Sequence, residues 1–310
     1  MKRALITGGA GFLGSHLAES LVEDGYSVTV LDNLMSGFEK NLINIKDKVK
    51  FINHDVIDPY DIAADEYWNL ACCASPPKYQ KDPIHTFKTS IWGIENALKN
   101  ATKYGGVVFQ ASTSEIYGDP TVSVQTEDYW GNVNPIGIRA TYDEGKRGAE
   151  TLMTDWARQY GTNIRIARIF NTYGERLDMS PGSGDGRVIS NFISQAISGT
   201  PITIYGDGSQ TRSFCYITDL ISGFRKLIDS NETTPVNLGN PNEFTILELA
   251  NTIKELTNSK SEIQFLALPS DDPKQRKPSI EKARRILGWG PKVQLAAGLN
   301  KMIDYYIKTY

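Results

Sequence analysis

Three cysteines are all that this 310-residue chain contains. Cys72, Cys73 and Cys215 are too few and too unevenly spaced for a disulfide framework or a zinc site, so no metal is expected. Cys72 and Cys73 lie in an apolar stretch, which points to buried structural thiols and a cytoplasmic address. No apolar run approaches the ~20 residues needed to cross a bilayer, and no membrane association is expected. A strand-like run, RALITG, begins one residue after Met1 and leaves no room for a charged leader with an apolar h-region. Positive charge is not in excess either. The net charge of −3 excludes a general nucleic-acid binder, which needs a basic surface. A locally basic site for a small anion stays open. Internal repeats and low-complexity tracts are absent.

What is present reads as an ordinary globular chain, 40% hydrophobic and 22% charged. The length suits one large α/β unit or two modest domains. Strand-like runs are ALITG, SVTVLDN, VKFINHDV, YWNLACCA, VVFQAST and NIRIARIF. Helical stretches separate them, notably Gly11 to Glu23, Pro83 to Lys103 and Gly137 to Tyr160. Apolar strands alternating with helices predict α/β class: a doubly wound parallel sheet covered on both faces, with ligands at the carboxyl ends of its strands. After Asn171 the texture changes. GERLDMSPGSGDGRV reads as an exposed loop, and shorter elements follow, among them PITIYG, TDLISGFRKLI, PVNLGN and EIQFLAL. A smaller, mainly C-terminal substrate domain is expected. It would comprise about 171–212 and 243–310, beside a Rossmann domain of 1–170 plus about 213–242.

Gly8, Gly11 and Gly14 form G-x-x-G-x-x-G between the first strand and the first helix. The first glycine permits a tight turn, the second lets backbone approach a pyrophosphate, and the third lets helix pack on strand. The phosphates would then lie at the positive end of that helix. Asp32 ends the second strand where a carboxylate would accept hydrogen bonds from an adenosine ribose. No arginine follows immediately, so NAD is favoured over NADP. Asp55, after the third strand, would hold the adenine or simply cap its loop. Phe12, Leu13, Asn33 and Val56 complete the expected cofactor contacts with Tyr142 and Lys146.

Tyr142 and Lys146 form a Y-x-x-x-K pair, which by itself says little in a chain with 15 tyrosines. Its setting says more, because it opens a helix and follows a strand ending in Ser112, Thr113 and Ser114. Lowering a phenol from about 10 to about 7 requires roughly 4 kcal/mol. A lysine cation about 5 Å away would supply around 3 kcal/mol at an effective dielectric of about 20, and an oxidised nicotinamide the rest. Tyr142 is thus expected to be a base at neutral pH, with Lys146 lowering its pKa and Thr113 hydrogen-bonding the same substrate hydroxyl.

Longer strings carry a family resemblance: GGAGFLGSHL, ASPP, STSEIYGDP, TEDYWGNVNPIGIRATYDEGKR, RIFNTYG, GRVISNFI, YGDGSQTRSF, NLGNP and DDPKQRKPSIEKA. Nearly end to end, the chain resembles the UDP-glucuronate decarboxylases of the extended short-chain dehydrogenase/reductase superfamily. The resemblance implies a closed redox cycle. Hydride passes from sugar C4 to NAD, the resulting β-keto acid loses carbon dioxide, and the hydride returns to give UDP-xylose. It implies that Arg276 helps set up decarboxylation, although the basic run Lys274 to Lys277 also permits an exposed arginine. Glu115 is placed near the sugar, as an acid, an orienter of water, or a group that repels the substrate carboxylate. Pro77, Asn171, Arg187, Val188, Tyr205, Gln210 and Arg212 would meet the UDP-sugar together with Glu115, Tyr142 and Arg276. Asn171 and Arg212 fall to the diphosphate, Tyr205 to the base or ribose. A homodimer through the helices around Pro83 to Lys103 and Gly137 to Tyr160 is also implied.

The chain departs from that pattern in the loop from Asp178 to Arg187, which carries the extra residues SPGSG. It departs again in CCAS ahead of the two prolines, and in Ser90, where asparagine is frequent. A 4,6-dehydratase generally places aspartate where this chain has Ser114, a poor acid for expelling hydroxide. A 4-epimerase would leave Glu115 and Arg276 without a task. The intact Thr113, Tyr142 and Lys146 argue against an inactive NAD sensor. Release of the 4-keto pentose with NADH stays open.

Overall fold

The computed structural model describes residues 1–179, 187–267 and 276–310. Six strands run in chain order through the first half: β1 (Arg3–Thr7), β2 (Ser27–Asp32), β3 (Val49–Asn53), β4 (Glu66–Asn69), β5 (Val107–Thr113) and β6 (Asn163–Ile169). The later strand Val236–Leu238 joins beside β6. The seven-stranded sheet therefore has the order Val236–Leu238, β6, β5, β4, β1, β2, β3, and every neighbouring pair is parallel. This is the doubly wound order, with its crevice beyond the carboxyl ends of β1 and β4.

Alternation along the strands explains why both faces are apolar. Ala4 and Ile6 of β1 face the core formed with α1 (Phe12–Glu23) and α6 (Ile217–Ile228). Leu5, between them, faces the core under α3 (Pro83–Tyr104) and α4 (Ala140–Tyr160). The period of two thus turns a continuous apolar run into two buried surfaces. Trp68, Phe109 and Phe224 pack in sequence across the α6 side, with ring centroids 4.8 and 4.7 Å apart.

Helix ends follow local chemistry. Asp82 caps α3 by accepting from the His85 N–H at 3.1 Å, and Pro83 occupies the first turn. Gly105 and Gly161 close α3 and α4 in the left-handed conformation. The short α2 (Pro76–Tyr79) begins on the two prolines. α4 starts at Ala140 rather than Gly137, because 137–140 forms a separate turn in which Ala140 N–H donates to the Gly137 carbonyl. β4 stops at Asn69, so the apolar run through Cys72 and Cys73 leaves the sheet. These thiols are half-buried rather than buried, because the chain has already passed into the crevice.

The remainder forms smaller units: α5 (Val188–Ser198), a parallel pair of Ile202–Tyr205 with Ile263–Leu266, and an antiparallel pair of Thr211–Ser213 with Glu243–Thr245. The expected loop of extra residues from Ser180 to Gly186 and the acidic stretch 271–275 lie outside the described residues. No helix among the described residues is long and apolar enough to cross a membrane. Phe224 is fully buried against Phe109, so Phe224→Ala should cost about 3–5 kcal/mol, read as a lower urea midpoint. An unchanged midpoint would contradict this packing.

Candidate active site

The crevice at the carboxyl ends of the strands is a single cavity of about 720 Å³. Every residue singled out from the sequence for catalysis, cofactor or substrate lines it. The N-terminal turn supplies one end. Gly8 has a φ of +71°, and a Cβ there would meet the Ala71 backbone at 2.7 Å. A Cβ on Gly14 would lie 2.2 Å from the Gly8 carbonyl oxygen, so only glycine lets α1 sit this close. Gly11 caps α1 without a side-chain bond, leaving the first-turn N–H groups facing the cavity. This cradle fits a dinucleotide pyrophosphate.

Asp32 accepts from the Ala10 N–H at 2.9 Å and the Leu34 N–H at 2.8 Å, so it ties the glycine turn to the end of β2 while lining the cavity. Burial raises its pKa against these two bonds. Asp55 accepts from Asn33 and from His85, both at 2.8 Å, and from its own loop at the Ile57 N–H. Burial works against its charge, but the Ile57 N–H, His85 and Asn33 together hold it below the ordinary carboxylate range. Asp55 therefore caps its loop and lines the cavity at once. Val56 packs beneath α3, close to Gly93.

The reactive end is built where β5 meets α4. Thr113 ends β5, and its hydroxyl accepts from the Glu115 N–H at 3.2 Å. Tyr142 lies in the first turn of α4, 7% exposed, with Thr113 near its hydroxyl. One turn on, Lys146 is buried, donates to the Ala111 carbonyl at 2.9 Å and stands 5.9 Å from the centre of the Tyr142 ring. The protein's own groups leave the phenol high. Burial first, then the neighbouring Cys72, Glu115 and Asp143 groups, push Tyr142 well above its ordinary value, and Thr113 opposes them. An added positive charge in the cavity is needed to reverse that balance.

Arg276 is 3% exposed, so the alternative of an exposed arginine in a basic run does not hold. Its guanidinium donates to Ser114 Oγ at 3.2 Å, to Glu115 Oε2 at 3.0 Å and to the Gly118 carbonyl at 3.0 Å. Arg139 donates to the same Glu115 oxygen at 2.5 Å. Burial would raise Glu115, but Arg276 and Arg139 hold its carboxyl down to about 2. The two guanidiniums thus favour the anionic form of Glu115.

Asn171 points a buried amide nitrogen, unpartnered among the described residues, from the wall of the cavity. Gln210 donates to the Tyr205 carbonyl at 2.5 Å, and Tyr205 is 47% exposed at the cavity mouth. Arg187, Val188, Pro77 and Arg212 line the same space. Ser90, the departure noted above, sits 3.5 Å from Cys72 Sγ under the crossing of α3 and α4. Sequence reasoning missed Arg139, Tyr79 and Asp143. Tyr79 stacks on Tyr142 with centroids 5.3 Å apart and planes 5° from parallel. Only Asp143, adjacent to Tyr142 in the sequence, carried a signal that could have been read. No cluster of potential metal ligands occurs among the described residues.

The model described as the NAD dependent epimerase/dehydratase family matches residues 4–239. UDP-glucuronic acid decarboxylase 1 of Danio rerio is 53% identical over 307 residues, covering 98% of this chain and 72% of that protein. The structure of UDP-glucose 4-epimerase from Thermotoga maritima with UDP-glucose superposes with a TM-score of 0.90 at 28% identity, covering 99% of each chain. A variant UDP-glucuronic acid 4-epimerase of Bacillus cereus, with a fluorinated UDP-glucuronic acid and NAD, gives a TM-score of 0.88 at 25% identity, covering 99% of this chain and 100% of that one. Gly14→Ala should abolish NAD binding measured by nucleotide fluorescence, because the added methyl collides with the Gly8 carbonyl. Retained binding would remove the turn from the cofactor site.

Proposed function

The chain belongs to the NAD dependent epimerase/dehydratase family, and from that premise we propose that it decarboxylates UDP-glucuronate to UDP-xylose with internal recycling of NAD. The observation that carries this reading is the pair of guanidiniums on Glu115, beside Tyr142 in the same cavity. A dehydratase needs an acid next to Thr113, and Ser114 there is instead a hydrogen-bond acceptor for Arg276. When bound, NAD supplies the acceptor for a hydride from C4 of the sugar and later returns it.

Each residue then has a task set by its surroundings. Tyr142 takes the proton of the 4-hydroxyl, with Thr113 holding the same oxygen. Lys146, fixed on the Ala111 carbonyl, keeps a cation beneath the phenol so that its anion is tolerated once the cofactor's charge is present. Arg276 and Arg139 give the uronate carboxylate a positive wall, while Glu115 keeps both guanidiniums in place. Loss of carbon dioxide from the 4-keto acid leaves its electron pair on the ketone oxygen as an enolate. Protonation at C5 and return of hydride to C4 then complete UDP-xylose. Asn171 and Arg212 are assigned to the diphosphate and Tyr205 to the uridine.

We assign NAD to the part built from 1–170 and about 213–242, and the nucleotide sugar to about 171–212 and 243–310. Free, half-buried thiols at Cys72 and Cys73 suit a reducing, cytoplasmic compartment. An apolar groove between α3 and α4, with Ile84, Phe87 and Trp92 exposed along it, supports a homodimer through these helices.

Tyr142→Phe should abolish turnover, at least about a hundredfold for loss of a general base, while NAD stays bound; unchanged turnover removes Tyr142 as the base. Arg276→Ala should slow release of carbon dioxide more than cofactor binding, followed by trapping of labelled gas; a normal rate excludes Arg276 from that step. Light scattering at micromolar concentration should return twice the chain mass, and a monomer would contradict the dimer.

A further inference from the structure

Asp143 follows Tyr142 in the first turn of α4 and is 6% exposed. Its Oδ1 is buried and has no hydrogen-bond partner among the described residues. A carboxylate here would ordinarily pair with Arg139, because residues four apart share a helix face. Arg139 instead gives its guanidinium to Glu115, and Arg276 donates to the same oxygen. An ionised, unpaired carboxylate in such a place costs far more than the neutral acid. We propose that Asp143 serves the reaction as a positioning residue in its protonated form, leaving both guanidiniums on Glu115 and keeping a second negative charge away from Tyr142. The kinetic part of this inference rests on the decarboxylase reading above.

Among the described residues, charges face Asp143 from several elements. Glu115 approaches from the turn after β5, Arg139 and Glu144 from its own helix and Arg276 from the C-terminal segment. Tyr79 of α2 and Tyr142 also stand close to it. Burial first, then the Glu115 carboxylate, push the Asp143 carboxyl up to about 7, and Arg139 and Arg276 offset this only in part. Two neighbouring carboxyls are therefore driven apart, one held as an anion and the other kept as an acid near neutrality. Ionised Asp143 would lift the Tyr142 phenol further and compete for Arg139.

The test compares the NAD-saturated wild type with Asp143→Asn, whose carboxamide is neutral at every pH. Thermal unfolding is followed from about pH 4.5 to about 8.5, together with kcat and KM for UDP-glucuronate. A carboxyl raised in the folded state binds its proton there while the unfolded chain has released it. Wild-type stability should therefore fall relative to the variant as pH rises from about 4 to about 7, and the gap should then stay level. Above pH 7 the variant's kcat should exceed the wild type's severalfold, with KM little changed. A stability gap that does not vary with pH, or coincident kcat profiles, overturns the proposal. A wild type that does not turn over UDP-glucuronate but shows the widening gap refutes the decarboxylase reading and upholds Asp143 as a neutral buried acid. Should the asparagine variant not fold, Asp143→Ser carries the same comparison.

Discussion

One carboxylate, Glu115, organises the reactive end of this protein. It receives Arg139 from the entry to α4 and Arg276 from the C-terminal segment, and its own N–H is held by Thr113 at the end of β5. Three distant stretches of chain are thereby fastened at one point beside Tyr142. A buried ion cluster adds little net stability, but removing one member leaves the others uncompensated. The cluster is best understood as a device for placing charge. Two guanidiniums converge on this one carboxylate among the described residues, which suits the proposed anionic sugar whose carboxylate must be held and then lost.

The fold explains why the charge can be so concentrated. A parallel sheet covered on both faces buries most of its strands and places its crevice at their carboxyl ends. The glycine turn after β1, the Thr113 turn after β5 and Tyr142 at the start of α4 all reach that edge. Burial there has a cost for catalysis, since it makes the Tyr142 phenol harder to ionise. Lys146 stands near the ring on the Ala111 carbonyl, and Tyr79 stacks on it. On the proposed reading, the phenol becomes a base when further positive charge enters the cavity, which would couple proton removal to the presence of the oxidised cofactor.

Much of this was legible in the sequence because it is local. Apolar runs of period two, the glycine spacing, and a tyrosine and lysine one helical turn apart each report on neighbours in the chain. What was not legible depends on contacts between distant residues. Nothing near Arg139 announces that it will meet Glu115, 24 positions earlier. Tyr79 stacks on Tyr142 only because α2 and α4 converge at the crevice. Cys72 and Cys73 looked like core thiols because their stretch is apolar, but the strand ends before them. The burial that raises the Tyr142 phenol is likewise a long-range effect, set by elements that meet only in the folded chain.

The account stands most directly on a single incubation of the purified protein with UDP-glucuronate, following nucleotide-sugar mass and nicotinamide absorbance together. It predicts loss of one carbon dioxide per sugar, a UDP-pentose product and no net accumulation of NADH. A product of unchanged mass, loss of water instead of carbon dioxide, or NADH formed in step with product would contradict it.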